Sequence, residues 1–201
     1  YVAIDGNFAG KIIISDVVKE NAKAAVEKVH DAGISTVAML TGDTKKNADA
    51  IAASIGIDKV HAELLPQQKV EQIEKLMNGS GNSKNRKTVA FVGDGINDAP
   101  VLSRSDVGIS MGALGSDAAI EAADVVIMDD NLEKVSSAIK IAKKTVVNAK
   151  QNICFSLTVK IAILALCGCG LVNMWVAVFG DVGVCLIAIL NSMRLLKVSK
   201  K

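Results

Sequence analysis

The sequence has no cysteine before residue 154. A secreted fold stapled by disulfides is therefore not expected. It also lacks a charge imbalance, with 23 lysines and arginines against 21 aspartates and glutamates. That balance gives no reason to expect nucleic acid as a partner. No internal repeat and no leader peptide is visible, and the chain opens on Tyr1 rather than methionine. It is expected to be a fragment that needs an upstream portion of the same protein. Charge is nearly absent from residues 153–193, where Lys160 and Asp181 are the two side chains normally charged. A stretch that long and that apolar reads as membrane.

What is present falls into two styles of sequence. Residues 1–150 mix charge and apolarity as a soluble domain does. Short β-branched runs at 1–4 and 11–14 are divided by Gly6 and Gly10 and read as strands. Asp16 is placed to cap a helix with Val18, Ala22, Ala25, Val26 and Val29 on one face and Gly33 at its end. An apolar strand at 34–40 leads into Thr41-Gly42-Asp43, a helix from Thr44 to Ile55 and Gly56. A strand near Val60 and a helix over 67–77 follow. The polar run 78–87 is a loop. Strand 88–92, a turn at Gly93, a helix from Asn97, strand 107–110, helix 116–123 and strand 124–128 complete the alternation. Strands alternating with helices predict an α/β fold, a parallel sheet covered by helices on both faces. A helix from Leu132 then carries Lys140, Lys143, Lys144 and Lys150 to the apolar tail.

The tail divides at Gly168, Gly170 and Asn173 into stretches 153–172 and 175–193. Each is near the ~20 residues that cross ~30 Å of hydrocarbon. Lysines precede the first, Arg194, Lys197, Lys200 and Lys201 follow the second, and the hinge carries no charge. The positive-inside rule puts both outer flanks in the cytosol.

Three strings carry chemistry. Val92-Gly93-Asp94-Gly95-Ile96-Asn97-Asp98-Ala99-Pro100 sets carboxylates in a glycine turn at a strand end, where open α/β sheets bind ligands. Hard oxygens there suit Mg2+, which takes one or two carboxylates together with phosphate. Thr41-Gly42-Asp43 offers a hydroxyl and backbone N–H groups at a strand-to-helix turn, an anion site of phosphate size. Lys69, after Pro66-Gln67-Gln68, is a point charge able to neutralise a phosphoryl oxygen.

Together, Met39-Leu40-Thr41-Gly42-Asp43, Pro66-Gln67-Gln68-Lys69 and Gly93-Asp94-Gly95-Ile96-Asn97-Asp98 resemble, in order and spacing, the phosphorylation domain of the P-type ATPases. These pumps are a branch of the haloacid dehalogenase-like superfamily, and the resemblance runs over essentially the whole chain. It implies a partial Rossmann-like sheet followed by a transmembrane hairpin. It implies that Asp94 ligates Mg2+ with support from Asp98, Asn97 and Gly95. It also implies that Thr41, Gly42 and Asp43 hold phosphate and that Lys69 steadies an aspartyl phosphate made from ATP. The family's nucleophile lies in a D-K-T-G string, and no such string occurs in these 201 residues. The chain alone is not expected to hydrolyse ATP. The strand bearing that aspartate is the central one, so a gap is expected between strands 36–40 and 88–92.

Lys160 and Asp181 each lie about eight residues into their spans. At ~1.5 Å per residue both sit roughly 12 Å deep and are expected to pair. Asn152, Lys160 and Asp181-Val182-Gly183 resemble the zinc/cadmium/lead branch of the heavy-metal pumps. That resemblance implies Asp181 as an oxygen ligand for Zn2+, Cd2+ or Pb2+, Lys160 as a built-in counter-ion, and Asn152 and Gly183 as transport-coupling positions. Cys167 and Cys169 form a C-x-C pair that reads more readily as small buried residues than as ligands. His30 and His61 read as ordinary surface residues.

The expected organisation is the end of a nucleotide-binding domain or a linker (1–8), part of a phosphorylation domain (9–131) and a connecting helix (132–152). Spans at 153–172 and 175–193 and a cytosolic tail (194–201) complete it, in a multi-pass protein of the cell membrane. The competing readings are a copper- or potassium-type pump, an inactive or split fragment, and a soluble phosphatase of the same superfamily.

Overall fold

The computed structural model describes residues 1–12, 17–78, 86–93, 98–112, 117–129, 131–171 and 173–197. The chain divides into two units, Tyr1–Glu133 and Lys134–Lys201.

The first unit begins with a hairpin of β1 (Val2–Ile4) and β2 (Asn7–Gly10). Asp5 and Gly6, at φ 51° and 80°, form the turn between them. Two adjacent positive φ values are what a tight hairpin requires, and Asp-Gly adopts them at low cost. The expected strand at 11–14 is therefore corrected. The paired strand is Asn7–Gly10, fixed by the turn chemistry rather than by the isoleucines, of which Ile12 is irregular and exposed. Residues 13–16, including the proposed cap Asp16, lie outside the described residues.

Helix α1 (Ala22–Asp31) starts later than its apolar pattern suggested, after Asn21. Val17 and Val18, β-branched and poor helix formers, stay outside it. The strand expected at 34–40 shrinks to β3 (Ala38–Leu40), paired parallel with β4 (Lys59–His61). The preceding Val37 is held otherwise, its N–H donating to Asp58 Oδ2 at 2.6 Å. Between these strands α2 (Lys45–Ile55) ends at Gly56, φ 82°, in the left-handed cap that glycine favours. Helix α3 (Pro66–Asn78) starts with proline at its first position, and the N–H of Leu65 donates to Gln68 Oε1 at 2.8 Å. That is half of a capping box, with proline where its missing N–H costs nothing.

A second sheet holds β5 (Ala90–Gly93), β6 (Val107–Met111) and β7 (Val125–Ile127), all parallel in that order. The short helices α4 (Ala99–Arg104) and α5 (Asp117–Ala122) link them. Among the described residues β3 and β5 sit in separate sheets. This is the gap expected from the missing string. Cover is uneven along the sheet: Ala90 and Val92 on β5 are exposed, Val92 at 38%, whereas Gly108–Met111 on β6 are buried. A parallel strand buried on both faces reads as continuously apolar. Strand β5 has that sequence without the full cover.

The core that matters for the site joins both sheets. Ile73 and Met77 of α3 and Val101 of α4 are buried against Leu40 of β3 and Phe91 of β5. Burying side chains of this size contributes roughly 1.5–3 kcal/mol each.

The second unit contains α6 (which opens at Glu133 and runs to Gly168) and α7 (Met174–Met193), followed by a 3-10 turn at Arg194–Lys197. Both helices are long and apolar enough to cross a membrane. No break separates residues 132–152 from the first apolar stretch. The helix is continuous, as expected where no proline or glycine interrupts it before Gly168. Asn173 caps α7, its side chain accepting from the N–H of Val176 at 3.2 Å.

Candidate catalytic and ion sites

Helical spacing places Lys69, Ile73 and Met77 on one face of α3. The last two are buried in the core, so Lys69 is carried at the end of an apolar stripe toward α4. Asp98 stands at the N-cap of α4 yet makes no capping hydrogen bond. It accepts instead from Lys69, whose Nζ lies 2.9 Å from its Oδ1, with the two side chains 18% and 15% exposed. Gly93 makes the approach possible. A Cβ there would stand 2.9 Å from the Phe91 ring and 3.1 Å from Asp98 Oδ2.

Thr41, Gly42 and Asp43 follow β3 as a tight turn. The Thr41 hydroxyl donates to Asp43 Oδ2 at 3.0 Å and accepts from the Asp43 N–H at 3.1 Å. Backbone bonds from Leu64 N–H to Thr41 O at 3.0 Å and from Glu63 N–H to Asp43 O at 2.9 Å anchor the turn. Glu63 takes φ 58° to make this contact. Among the described residues no hydrogen bond joins the turn to Lys69 or Asp98. Asp94, Gly95 and Asn97 lie outside the described residues.

In the second unit Lys160 and Asp181 meet, Nζ to Oδ1 at 2.8 Å. Asn152 belongs to a network that sequence reading did not find. Its amide donates to Asn148 Oδ1 at 3.1 Å, Ala188 O at 3.2 Å and Ser192 Oγ at 3.0 Å, and its Oδ1 accepts from Asn191 Nδ2 at 2.8 Å. Asn148 also donates to Asn191 O at 3.1 Å. The available signal was Asn148 and Asn152, four residues apart, with Asn191-Ser192 on the other helix: polar groups that cross-link apolar helices. Gly180 is a contact point, since a Cβ there would overlap the Ile163 side chain. Gly183 is not, because a Cβ there would meet nothing within 4 Å. The four cysteines are unbridged, and no cluster of three or more metal-ligating side chains occurs among the described residues. His30 is less solitary than expected. Its Nδ1 lies 3.0 Å from Ile34 O and its Nε2 3.4 Å from Asp58 Oδ2, tying the end of α1 to the start of β4.

Residues 2–106 match the family model described as haloacid dehalogenase-like hydrolase. The chain belongs to that family. Within it the chain is a relative of the heavy-metal P-type ATPases. It is 49% identical over 201 residues to the cadmium, zinc and cobalt-transporting ATPase of Bacillus subtilis (strain 168), covering 100% of this chain and 28% of that one. Copper-transporting ATPase 2 of Rhizobium meliloti (strain 1021) is 46% identical over 164 residues, 82% of this chain and 19% of the relative. The crystal structure of a zinc-transporting PIB-type ATPase superimposes with a TM-score of 0.80 at 34% identity, over 90% of this chain and 28% of that one. The chain thus spans less than a third of the length of these relatives. Overall identity separates the zinc and copper pumps by little, so the ion must be read from particular residues.

Proposed function

We propose that this chain is part of a pump that exports a divalent heavy-metal ion, Zn2+, Cd2+ or Pb2+, using ATP through an aspartyl-phosphate intermediate. The nucleophilic aspartate belongs to a part of the protein outside these residues. The observation that carries the reading is the Lys160–Asp181 pair on two apolar helices. A carboxylate at that depth is costly unless paired or used. It offers a hard oxygen to a d10 divalent ion, which accepts mixed oxygen and thiolate ligands. Lys160 neutralises Asp181 in the absence of cargo and competes with the ion for it, which favours release. Asn152 fixes the register of α6 against α7 and so the meeting of the pair. A Cβ at Gly183, one turn from Gly180 on α7, would meet nothing within 4 Å.

In the α/β unit Asp94 and Asp98 would hold Mg2+ with Asn97 and Gly95 beside them. The donor set fits: Asp98 keeps its Oδ2 beside the side-chain-free Gly93 while Lys69 engages Oδ1. The metal would supply charge neutralisation for phosphoryl oxygens. Thr41, Gly42 and Asp43 bind and orient phosphate with hydroxyl and backbone donors. Lys69 places a positive charge beside the phosphorylated carboxylate. Residues 9–131 act as part of the phosphorylation domain and 1–8 as the end of the nucleotide domain or a linker. The spans cross the cell membrane with both outer flanks in the cytosol, in keeping with the lysines and arginine beyond them.

Asp181→Ala tests the reading in the complete protein. Zinc-stimulated ATP hydrolysis is expected to fall to its metal-independent level. Undiminished stimulation would show the ion assignment to be wrong. Copper stimulation that persists in the variant would favour a copper pump.

A further inference from the structure

Between residues 134 and 201 the chain has nine lysines and one arginine, and Asp181 is the sole carboxylate side chain. Three of these cations converge. Lys143 and Lys144 of α6 and Arg194, just past α7, line one groove of about 420 Å³ together with Asn148, Gln151 and Asn191. Among the described residues that line it there is no carboxylate. The groove is built on a fixed floor. Asn148 Nδ2 donates to Asn191 O at 3.1 Å, Asn191 Nδ2 donates to Asn152 Oδ1 at 2.8 Å, and Arg194 donates to Asn191 Oδ1 at 3.4 Å. The first two bonds cross from α6 to α7 and hold the helix ends together, and the third ties Arg194 to the same floor. The groove lies where the apolar part of both helices gives way to charge. Lys144 precedes Asn152 by eight residues, roughly 12 Å along a helix, so its backbone stands on the aqueous side of a headgroup layer about 5–7.5 Å deep in each leaflet. Long cationic side chains at that depth extend toward phosphate.

We infer that this groove is a binding site for the anionic headgroup of a phospholipid from the leaflet that faces the helix ends. The three cations supply the charge, and the amides of Asn148, Gln151 and Asn191 supply hydrogen bonds to phosphate or glycerol oxygens. Basic pockets between membrane helices on the positive side take ligands of this chemistry. Selection is by charge, because a zwitterionic headgroup brings its own ammonium against Lys143, Lys144 and Arg194. The inference rests on the reading of α6 and α7 as membrane spans, and the test separates the two.

The complete protein is reconstituted into vesicles of phosphatidylcholine alone or with one-fifth phosphatidylglycerol, and extraction at alkaline pH reports insertion. The lipid carried through detergent purification is then measured by mass spectrometry. The protein is expected to insert into both vesicles and to retain phosphatidylglycerol selectively. The triple variant Lys143→Gln, Lys144→Gln, Arg194→Gln is expected to insert equally well and to retain on the order of tenfold to a hundredfold less phosphatidylglycerol at low salt. The charge-preserving variant Lys143→Arg, Lys144→Arg, Arg194→Lys is expected to restore retention, which a mere packing role would not do. Equal retention by wild type and triple variant overturns the site. Displacement of the bound lipid by millimolar inorganic phosphate overturns the lipid assignment in favour of a soluble anion. Failure to insert into either vesicle instead overturns the membrane reading.

Discussion

Lys69→Ala in the complete protein is expected to lower phosphoenzyme formation from ATP on the order of a hundredfold or more, as loss of a charge that stabilises a phosphoryl transition state does. Two effects have to be separated. The first is chemical, because Lys69 is the cation that the core of α3 and α4 carries to Asp98. The second is structural. Lys69 and Asp98 are 18% and 15% exposed, and removing one leaves the other largely buried and unpaired. For fully buried pairs that costs roughly 3–5 kcal/mol, and less where some solvent remains. The double variant Lys69→Met, Asp98→Asn removes both charges. Its thermal stability is expected to recover toward wild type while phosphorylation stays lost. Acid-stable phosphoenzyme and a thermal melt on the same samples give both readouts. A Lys69→Ala protein that phosphorylates at the wild-type rate would remove Lys69 from the mechanism.

Gly108→Val is expected to destabilise the α/β unit by on the order of 3 kcal/mol, lowering its melting temperature by roughly 10 °C. Gly108 lies on β6 beneath α4. A Cβ there would stand 2.7 Å from the carbonyl oxygen and 3.1 Å from the carbonyl carbon of Leu102. These are backbone atoms and cannot rotate aside. The glycine is also held in place, its N–H donating to Asp124 Oδ2 at 2.8 Å and its carbonyl accepting from the Asp124 N–H at 2.9 Å. Relief would require α4 to lift from the sheet, taking buried Val101 and Leu102, and Asp98 at its start, along. Gly168→Ala, where a Cβ would meet nothing within 4 Å, is the control and is expected to melt as wild type. A melting temperature for Gly108→Val equal to that control would refute the packing argument.

The α/β order, the helices α2 and α3 and the two apolar helices were legible because each carries a local signal. Gly56 ends α2, Pro66 opens α3, and the glycines and Asn173 divide the tail. The pairing of Lys160 with Asp181 was legible because charge is so scarce around it. The misread elements are those decided by something other than apolar periodicity. Asp5-Gly6 outweighs the isoleucine run in placing β2, and Asp58 claims the backbone of Val37 before β3 can extend. The approach of Lys69 to Asp98 needs α3 and α4 to pack, which no string of adjacent residues records. The amide network of Asn148, Asn152, Asn191 and Ser192 was also passed over. Its members are 43 residues apart at their hydrogen-bonded ends, and each asparagine taken singly resembles a helix-end residue.

The separation of β3 from β5 has a bearing on handling this polypeptide. An unpaired strand edge presents a row of N–H and C=O groups to which another extended segment can pair, about 4.7–4.9 Å away. Among the described residues β5 pairs only with β6, which leaves its other backbone edge unpaired. Strand β3 likewise pairs only with β4. With nothing paired to either edge among the described residues, the chain offers two adhesive margins. Its self-association should rise with concentration during refolding, and an added peptide of extended, β-branched sequence should suppress it by occupying the same margins.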